Sequence, residues 1–431
     1  MTIMDNRYDV LVIGGGLSGL TTAYILAKSG FSVMVLERGN QCGEKNVSGG
    51  VLCGGSFQEV FKEIASEAPF ERLIRTKILG SVSGDSVASF SYRNEEEDGG
   101  IGYSLLRVKF DKWLSEKVAQ AGADILCGVT ADAILFEKGL AKGISAGNER
   151  LYADVVVLAE GANALLTEKS GLREPLKPYQ VGVSVKEVIG VNEKIINQRF
   201  NVDSGMGTAI ELFGTFTDQI EGGAFIYTNK DSISLGLVLT LSSYKTTNNP
   251  PYEILERFKN IPYIKSLIKD GETIEYSAHL LPETGFEMMP RLFGDGILVV
   301  GDAAGFLLKN GRTIEGMNYA IESGRLAAET IVEAVQFNHY GAEVLSGYSK
   351  KINNSKLFKR LLKFRNSYQF FQNPRLYGEY PEFVNNFSKM LFSEGANGNN
   401  KISGLLLKAI QASDVSVQSL LSDMIKTQRT L

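Results

Sequence analysis

The apolar run at residues 8–13 ends directly on Gly14-Gly15-Gly16-Leu17-Ser18-Gly19, and that junction restricts the fold of the chain more than any other feature. The run (YDVLVI) is continuously apolar after Asp9 and rich in β-branched side chains. That is the pattern of a strand buried on both faces of a parallel sheet. Residues 20–28 have helical character, Gly30 ends that helix, and residues 32–36 (SVMVL) form a second strand closed by Glu37. The spacing predicts a β–α–β unit whose acidic residue falls about 20 positions after the glycines, as a dinucleotide fingerprint requires. Each glycine has a mechanical reason. Gly14 permits the tight turn, Gly16 lets backbone approach a pyrophosphate, and Gly19 lets the helix pack closely on the strand. The helix N-terminus after the glycines offers free N–H groups and a positive dipole end to the phosphates. Glu37 accepts hydrogen bonds from the adenosine ribose. A glycine turn that binds nothing is the competing reading, and the complete strand–helix–strand–acid context argues against it.

Features far along the chain select FAD over a nicotinamide dinucleotide. Residues 152–159 (YADVVVLA) read as a buried strand ending at Glu160-Gly161-Ala162-Asn163. Residues 296–300 (GILVV) read as another, ending at Gly301-Asp302-Ala303-Ala304-Gly305. A helix follows at 316–336, with Met317, Ala320, Ile321, Gly324, Ala327, Ala328 and Ile331 on one helical period. An aspartate at a strand end beside glycine can bind a ribityl hydroxyl. The N–H groups of the following helix can hold the flavin O2, where charge collects on reduction. A nicotinamide dinucleotide needs no such third anchor.

The expected architecture is α/β locally and α+β overall. A Rossmann-type FAD-binding domain takes residues 1–177 and 291–345. An antiparallel-sheet substrate lobe is inserted at 178–290, with turns at Asn229-Lys230-Asp231 and Asn248-Asn249-Pro250-Pro251 and a helix at 252–269. A mostly helical region at 346–431 caps the molecule. At 431 residues the chain can bury such a two-lobed core, and a net charge of −4 gives no reason to expect nucleic acid. Cys42, Cys53 and Cys127 form no C-x-x-C pair, which favours a reducing cytoplasm. No secretory signal is visible and no apolar run approaches the roughly 18 residues that span a bilayer. His279 and His339 are too few and too far apart for a histidine metal site.

These residues resemble the electron-transfer-flavoprotein:quinone oxidoreductase family of glutathione-reductase-type flavoproteins, specifically its FixC branch. Beyond the fingerprint, the resemblance rests on Glu37-Arg38-Gly39 and on Lys45-Asn46-Val47-Ser48-Gly49-Gly50. It extends through Tyr103-Ser104-Leu105-Leu106-Arg107, Phe110 to Leu114, Glu275 to His279, and Gly301 to Gly305 with Gly311, Gly316 and Met317. It implies that Gly14, Gly16, Leu17, Ser18 and Gly19 hold the pyrophosphate and that Glu37 and Arg38 hold the adenosine. Lys45, Ser48 and Gly49 would lie along the isoalloxazine, and Arg107 would approach the pyrophosphate or ribityl chain. Val129 would pair with adenine, Gly161 would border the cofactor, and Asp302 would bind the ribityl chain. Backbone near Gly311 would face the ring, with Met317 opening the last helix. The resemblance also implies electrons accepted from an electron-transfer flavoprotein and passed towards quinone, often with a ferredoxin-like partner. A [4Fe–4S] cluster needs four thiolates, so with three cysteines any cluster must belong to that partner.

The chain departs from the family's pattern where the reacting groups should lie. Val51-Leu52-Cys53 stands where relatives carry Arg-Leu-Tyr, Lys309-Asn310-Gly311-Arg312 replaces a more apolar stretch, and Glu315 stands where a basic residue is common. These departures motivate a second reading, a pathway enzyme acting on a bound small organic molecule. A third is a flavin-binding scaffold or sensor without turnover. Cys53, His279 and Asn310 are the catalytic candidates; a small buried thiol and a satisfied structural histidine are their bland alternatives. Lys350, Lys351, Lys356, Lys359, Arg360, Lys363 and Arg365 interleave with Leu357, Phe358, Leu361, Leu362 and Phe364. That pattern fits either peripheral contact with an anionic membrane or acidic partner, or a core-packed helix with a solvated basic face.

Overall fold

The computed structural model of the chain describes residues 7–46, 49–96, 100–244, 249–393 and 401–431. Ser48, expected beside the cofactor, and Asn248 of the second expected turn lie outside these residues.

The predicted β–α–β unit seeds an eight-stranded sheet. Arg7–Ile13 lies at its centre, with Val33–Glu37 and Asp124–Cys127 on one side and Glu149–Leu158 and Ile297–Val299 on the other, all parallel. Val10, Leu11 and Val12 are fully buried, as a strand covered on both faces must be. Helix Leu17–Lys28 covers one face and packs against helix Met317–Ala334. Gly324 makes that contact possible, because a Cβ there would run into the carbonyl oxygen of Ser18.

The second sheet has nine strands and is larger than the segment 178–290. Five of its strands come from Val181–Gly190, Met206–Gly214, Gly222–Thr228, Ser232–Thr240 and Glu272–Pro282. Four more come from Gly50–Leu52, Arg72–Ser83, Ser86–Arg93 and Gly102–Leu105. The join is a parallel pairing of Met206–Gly214 with Arg72–Ser83 inside an otherwise antiparallel sheet. Residues 50–105 therefore extend the substrate lobe in space. The Asn229 turn closes its hairpin as expected, Asn229 N–H donating to the Ser232 carbonyl at 2.8 Å. The helix expected at 252–269 is two helices, Pro251–Asn260 and Pro262–Ile268. Pro262 holds Ile261 in an extended conformation (ψ 126°), which stops the first helix.

This sheet has two chemically different faces. Val185, Ile210, Ile226, Leu235 and Leu237 turn to Ile254, Phe258 and Ile264 of the covering helices and form an apolar core. By strand alternation, Ser184, Lys186, Phe225, Tyr227 and Glu211 point the other way, towards the nucleotide-binding half. Lys186 Nζ donates to the carbonyl of Gly49 there, and Lys77 Nζ donates to that of Arg312 at 2.6 Å.

The described residues from 342 to 430 are helical apart from connections. The basic stretch is two helices, Ala342–Asn354 and Lys356–Lys363, separated by Ser355, whose hydroxyl caps the second by accepting from Phe358 N–H at 3.0 Å. Phe358, Leu361 and Phe364 are buried, and Lys351 pairs with Glu333 at 2.7 Å. The apolar half of this helix is thus spent on the protein core. Exposed apolar side chains lie instead at Ile402, Leu407, Leu421, Met424 and Ile425. Among the described residues, no helix is long and apolar enough to cross a membrane.

Candidate functional site

Three glycines shape the turn after the first strand. Gly14 has φ +116°, donates its N–H to the Leu36 carbonyl at 2.8 Å, and would overlap the Ala159 carbonyl if it carried a Cβ. A Cβ on Gly19 would overlap the Gly14 carbonyl oxygen and sit 3.1 Å from Val12 Cγ1. Gly16 is open by contrast: its nearest neighbour in the Cβ direction is Arg107 Nη2, at 4.0 Å. No side chain caps the helix that starts at Leu17. An open backbone edge, an uncapped helix N-terminus and a guanidinium thus converge on one point, and together they fit a pyrophosphate. Glu37 is held in place for the ribose by Gly15 N–H at 2.9 Å on one carboxylate oxygen and Gly39 N–H at 2.7 Å on the other.

Arg107 opens helix Arg107–Gln120, and its orientation is imposed by Asp111 one turn on. Nε and Nη2 grip the carboxylate at 2.9 and 2.7 Å, while Asn46 Nδ2 donates to the same group at 2.7 Å. Asp111 is fully buried and the Arg107 side chain keeps 18% of its surface, so one end is anchored and the other is presented. Asp302 lies in the short helical turn Gly301–Ala304, its carboxyl pushed up by burial and pulled back by the charge of Arg107. A Cβ on Gly316 would be 3.8 Å from Asp302 Oδ1, and one on Gly50 would be 3.1 Å from Met317 Cε. Gly16, Arg107, Asp302, Met317 and residues 49–50 therefore border one cleft between the two sheets.

Residues 9–80 match the FAD dependent oxidoreductase family, and residues 179–281 match the ubiquinone-binding region of electron-transfer-flavoprotein–quinone oxidoreductases (ETF-QO). The chain is 36% identical to a probable electron transfer flavoprotein-quinone oxidoreductase, YdiS of Escherichia coli, over 98% of both chains. It is 37% identical to protein FixC of Escherichia coli over 90% of this chain and 91% of that one. The chain belongs to the FixC and ETF-quinone oxidoreductase family. It is an FAD-dependent oxidoreductase. Its fold is shared with a geranylgeranyl bacteriochlorophyll reductase-like protein of Thermoplasma acidophilum, at a TM-score of 0.71, 23% identity, and coverage of 97% and 99% of the two chains.

The other residues of this FixC relative expected to contact FAD are placed by the fold as follows. Val129 N–H donates to the Glu37 carbonyl at 3.0 Å, which leaves its own carbonyl for an adenine amino group. The Ser18 side chain is buried against Gly301, and Arg38 and Lys45 are exposed. Gly161 has φ +73° with open space around it. Gly311 turns the hairpin Leu308–Lys309/Ile314–Glu315 with φ +74° and packs on Leu431. Asn310 shapes the same turn, its Oδ1 accepting from Arg312 N–H at 3.2 Å and Thr313 N–H at 3.1 Å. His279 lies on strand Glu272–Pro282, opposite Ser184. Burial, then the charges of Arg38 and Arg107, push its pKa down, so it is neutral at pH 7.

Sequence reasoning missed Lys186, and gave Asp111 and Asn46 no role beyond the motifs that contain them. Only Lys186 left a signal: it interrupts the apolar strand VGVSVKEVIG. It also missed a charged chamber on the far side of the cleft. Lys77 pairs with Glu211 at 3.0 Å, and Arg360 grips Glu315 with two bonds of 2.8 and 2.9 Å. Tyr227 and Cys53 lie beside these pairs. The unusual Glu315 is thus answered by a cation from the basic helix.

Two titrations follow from these surroundings. Burial pushes the Cys53 thiol up to about 11, with Glu315 adding and Lys77 opposing. At pH 8 only about one molecule in a thousand then carries the thiolate. Iodoacetamide at pH 8 should leave Cys53 unmodified in the native protein and label it after denaturation, as read by peptide mass spectrometry. Glu221 is pushed by burial from near 4.5 up to about 7, with Glu283 adding and Lys309 opposing. A carboxyl that binds its proton more tightly when folded stabilises the fold as pH falls from about 7 towards 4.5. Glu221→Gln should flatten that rise and be more stable than the parent at pH 8, by roughly 3 kcal/mol at most. Urea unfolding at pH 5.5 and 8 checks the sign.

Proposed function

We propose that this protein accepts electrons from a reduced electron-transfer flavoprotein and passes them through FAD to a quinone. The carrying observation is the agreement of two independent halves. Residues 9–80 match an FAD-dependent oxidoreductase and residues 179–281 the ubiquinone-binding region, and the two matched segments are joined in one sheet where Arg72–Ser83 pairs with Met206–Gly214. Gly16, Leu17 and Arg107 would hold the pyrophosphate, Glu37 the ribose, Asp302 the ribityl chain, and residues 49–50 with Met317 the ring. Bound FAD supplies reversible uptake of two electrons. The chain's own contribution is to clamp Arg107 through Asp111 and Asn46, to keep water from the ring with the sheet face of Phe225 and Tyr227, and to fix the strap at Gly49.

The substrate end of the cleft supports a second reading. Relatives named for quinone would be served by an apolar chamber, whereas Lys77, Glu211, Glu315, Arg360 and Tyr227 make this one charged. A polar organic acceptor or donor fits such walls. Purified holoprotein whose flavin absorbance bleaches with reduced electron-transfer flavoprotein, and recovers on adding quinone, supports the first reading. Bleaching by small organic donors alone sinks it.

The exposed apolar side chains of helices Ile402–Gln411 and Val417–Thr430 are the surface for peripheral membrane contact, where a lipid-soluble quinone resides. Co-sedimentation with vesicles should fall when Leu421 and Ile425 are changed to serine. A ferredoxin-like partner would supply the cluster chemistry that three cysteines cannot. Mixing the holoprotein with a [4Fe–4S] ferredoxin and following cluster reduction by electron paramagnetic resonance tests this role. A cluster that stays oxidised beside a reduced flavin overturns it.

A further inference from the structure

Lys186 is a fully buried lysine on the sheet face that turns towards the flavin cleft. Its Nζ donates to the carbonyl of Gly49, and the ammonium end stands 5.5 Å from the centre of the Phe225 ring. Strand Val181–Gly190 is internal to the sheet, between Glu272–Pro282 and Ser232–Thr240, so the side chain has no route to solvent along an edge. Among the described residues, no carboxylate lies within ion-pair distance of it. A buried, unpaired amine of this kind is expensive to protonate.

The charged groups around it sharpen the point. Glu275, on the neighbouring strand, favours its charge, and Arg107 opposes it. Burial outweighs both, holding the amine well below the usual lysine range. Arg107 is already neutralised by Asp111, and Asp302 faces Arg107. His279, two positions along the adjacent strand from Ser277, has its pKa lowered by burial and then by the charges of Arg38 and Arg107. The one change that would supply Lys186 with a counter-charge is the arrival of negative charge in the cleft itself. A ring lying along residues 49–50 acquires such charge each time it is reduced.

We propose that Lys186 is the residue that takes up a proton when the flavin is reduced and releases it when the flavin is reoxidised, coupling electron arrival to proton uptake. The inference rests on the FAD-dependent electron-transfer reading above. Two electrons enter the ring from the donor flavoprotein. One proton from solvent goes to ring N5 and a second to Lys186 Nζ, so the anionic reduced ring faces an ammonium. When two electrons leave to quinone, the same two protons complete the quinol. Lys186 acts here as a positioning and charge-balancing residue: its hydrogen bond is to the Gly49 strap, and its charge answers that of the ring.

The test is the two-electron midpoint potential of the holoprotein, measured by spectroelectrochemistry between pH 6 and 9. Each proton taken up with two electrons contributes about 30 mV per pH unit. Wild-type protein should therefore show about 60 mV per pH unit, and Lys186→Met about half that slope with a lower midpoint at pH 7. Lys186→Arg, charged throughout, should also show the halved slope but a higher midpoint than Lys186→Met. A role confined to holding the Gly49 strap would not separate the midpoints of the two variants by their charge. Equal slopes in wild type and both variants overturn the proposal, as does loss of slope in His279→Gln instead. Should Lys186→Met fail to hold flavin, Lys186→Arg alone decides, because its slope differs from wild type only if the proton is lost. Wild-type protein that binds no flavin overturns the functional reading itself, a result distinct from equal slopes.

Discussion

Arg107→Met should leave the purified protein without flavin and about 3–5 kcal/mol less stable as apoprotein. The reason lies with its partner rather than with Arg107 alone. Asp111 has no exposed surface, and its carboxylate is matched by two guanidinium bonds and one amide bond from Asn46. Removing the guanidinium strands a buried charge with a single neutral donor, a change far costlier than losing a surface ion pair. Urea unfolding followed through Trp113, the only tryptophan and a residue of the same helix, reads the loss directly. The double variant Arg107→Met/Asp111→Asn separates the two effects. It should recover most of the stability, because no buried charge remains, and still fail to retain flavin. If the double variant regains flavin, Arg107 is a structural residue and does not touch the cofactor.

Gly19→Val should give a chain that neither binds FAD nor folds cooperatively. The helix and strand approach so closely that a Cβ at this position would overlap the Gly14 carbonyl oxygen and crowd Val12 and Ala159. Overpacking a core with a flexible side chain costs about 1–3 kcal/mol, and here the obstacle is backbone that is itself the pyrophosphate turn. Relief requires the helix to move off the sheet, which carries its N-terminus away from Arg107 and loosens its contact with Gly324 of the Met317–Ala334 helix. Circular dichroism, thermal unfolding and the flavin-to-protein absorbance ratio measure the outcome. A variant that melts like the parent and keeps its flavin would contradict this account of the turn.

The two predictions differ in how far they were readable beforehand. The Gly19 requirement follows from the motif, because the clearance between a strand and the helix that follows it is a local matter. The Arg107 prediction draws on Asp111, a helical neighbour one turn on, and on Asn46, which lies 65 residues from Asp111. In the sequence Asp111 is only one residue of the family-like stretch Phe110 to Leu114, and nothing there says that it grips Arg107. Residues 72–105 fell within the segment assigned from sequence to the FAD-binding domain, and period-2 alternation says only that a strand has two faces. It does not say which sheet the strand joins, and here it joins the sheet of the other lobe through one parallel pairing. The basic stretch at 350–365 was open between two readings for a related reason. An amphipathic helix that lies on a membrane and one that lies on a core have the same pattern, and burial of Phe358 and Leu361 decides between them.

By itself, the sequence determined the nucleotide turn of this protein. Gly14, Gly16 and Gly19 act through the absence of a Cβ, and that absence is visible wherever the neighbouring strand and helix can be read. Glu37 and Asp302 belong to the same class, since one closes a strand and the other lies in the turn directly after one. The tertiary structure decided the electrostatics. Whether Lys186 is an ordinary surface cation or a buried amine without a partner, and whether Glu315 is a liability or half of an ion pair with Arg360, depends on residues tens of positions away. Burial and pairing set the cost of a charge, and both are properties of the folded chain rather than of any segment of it.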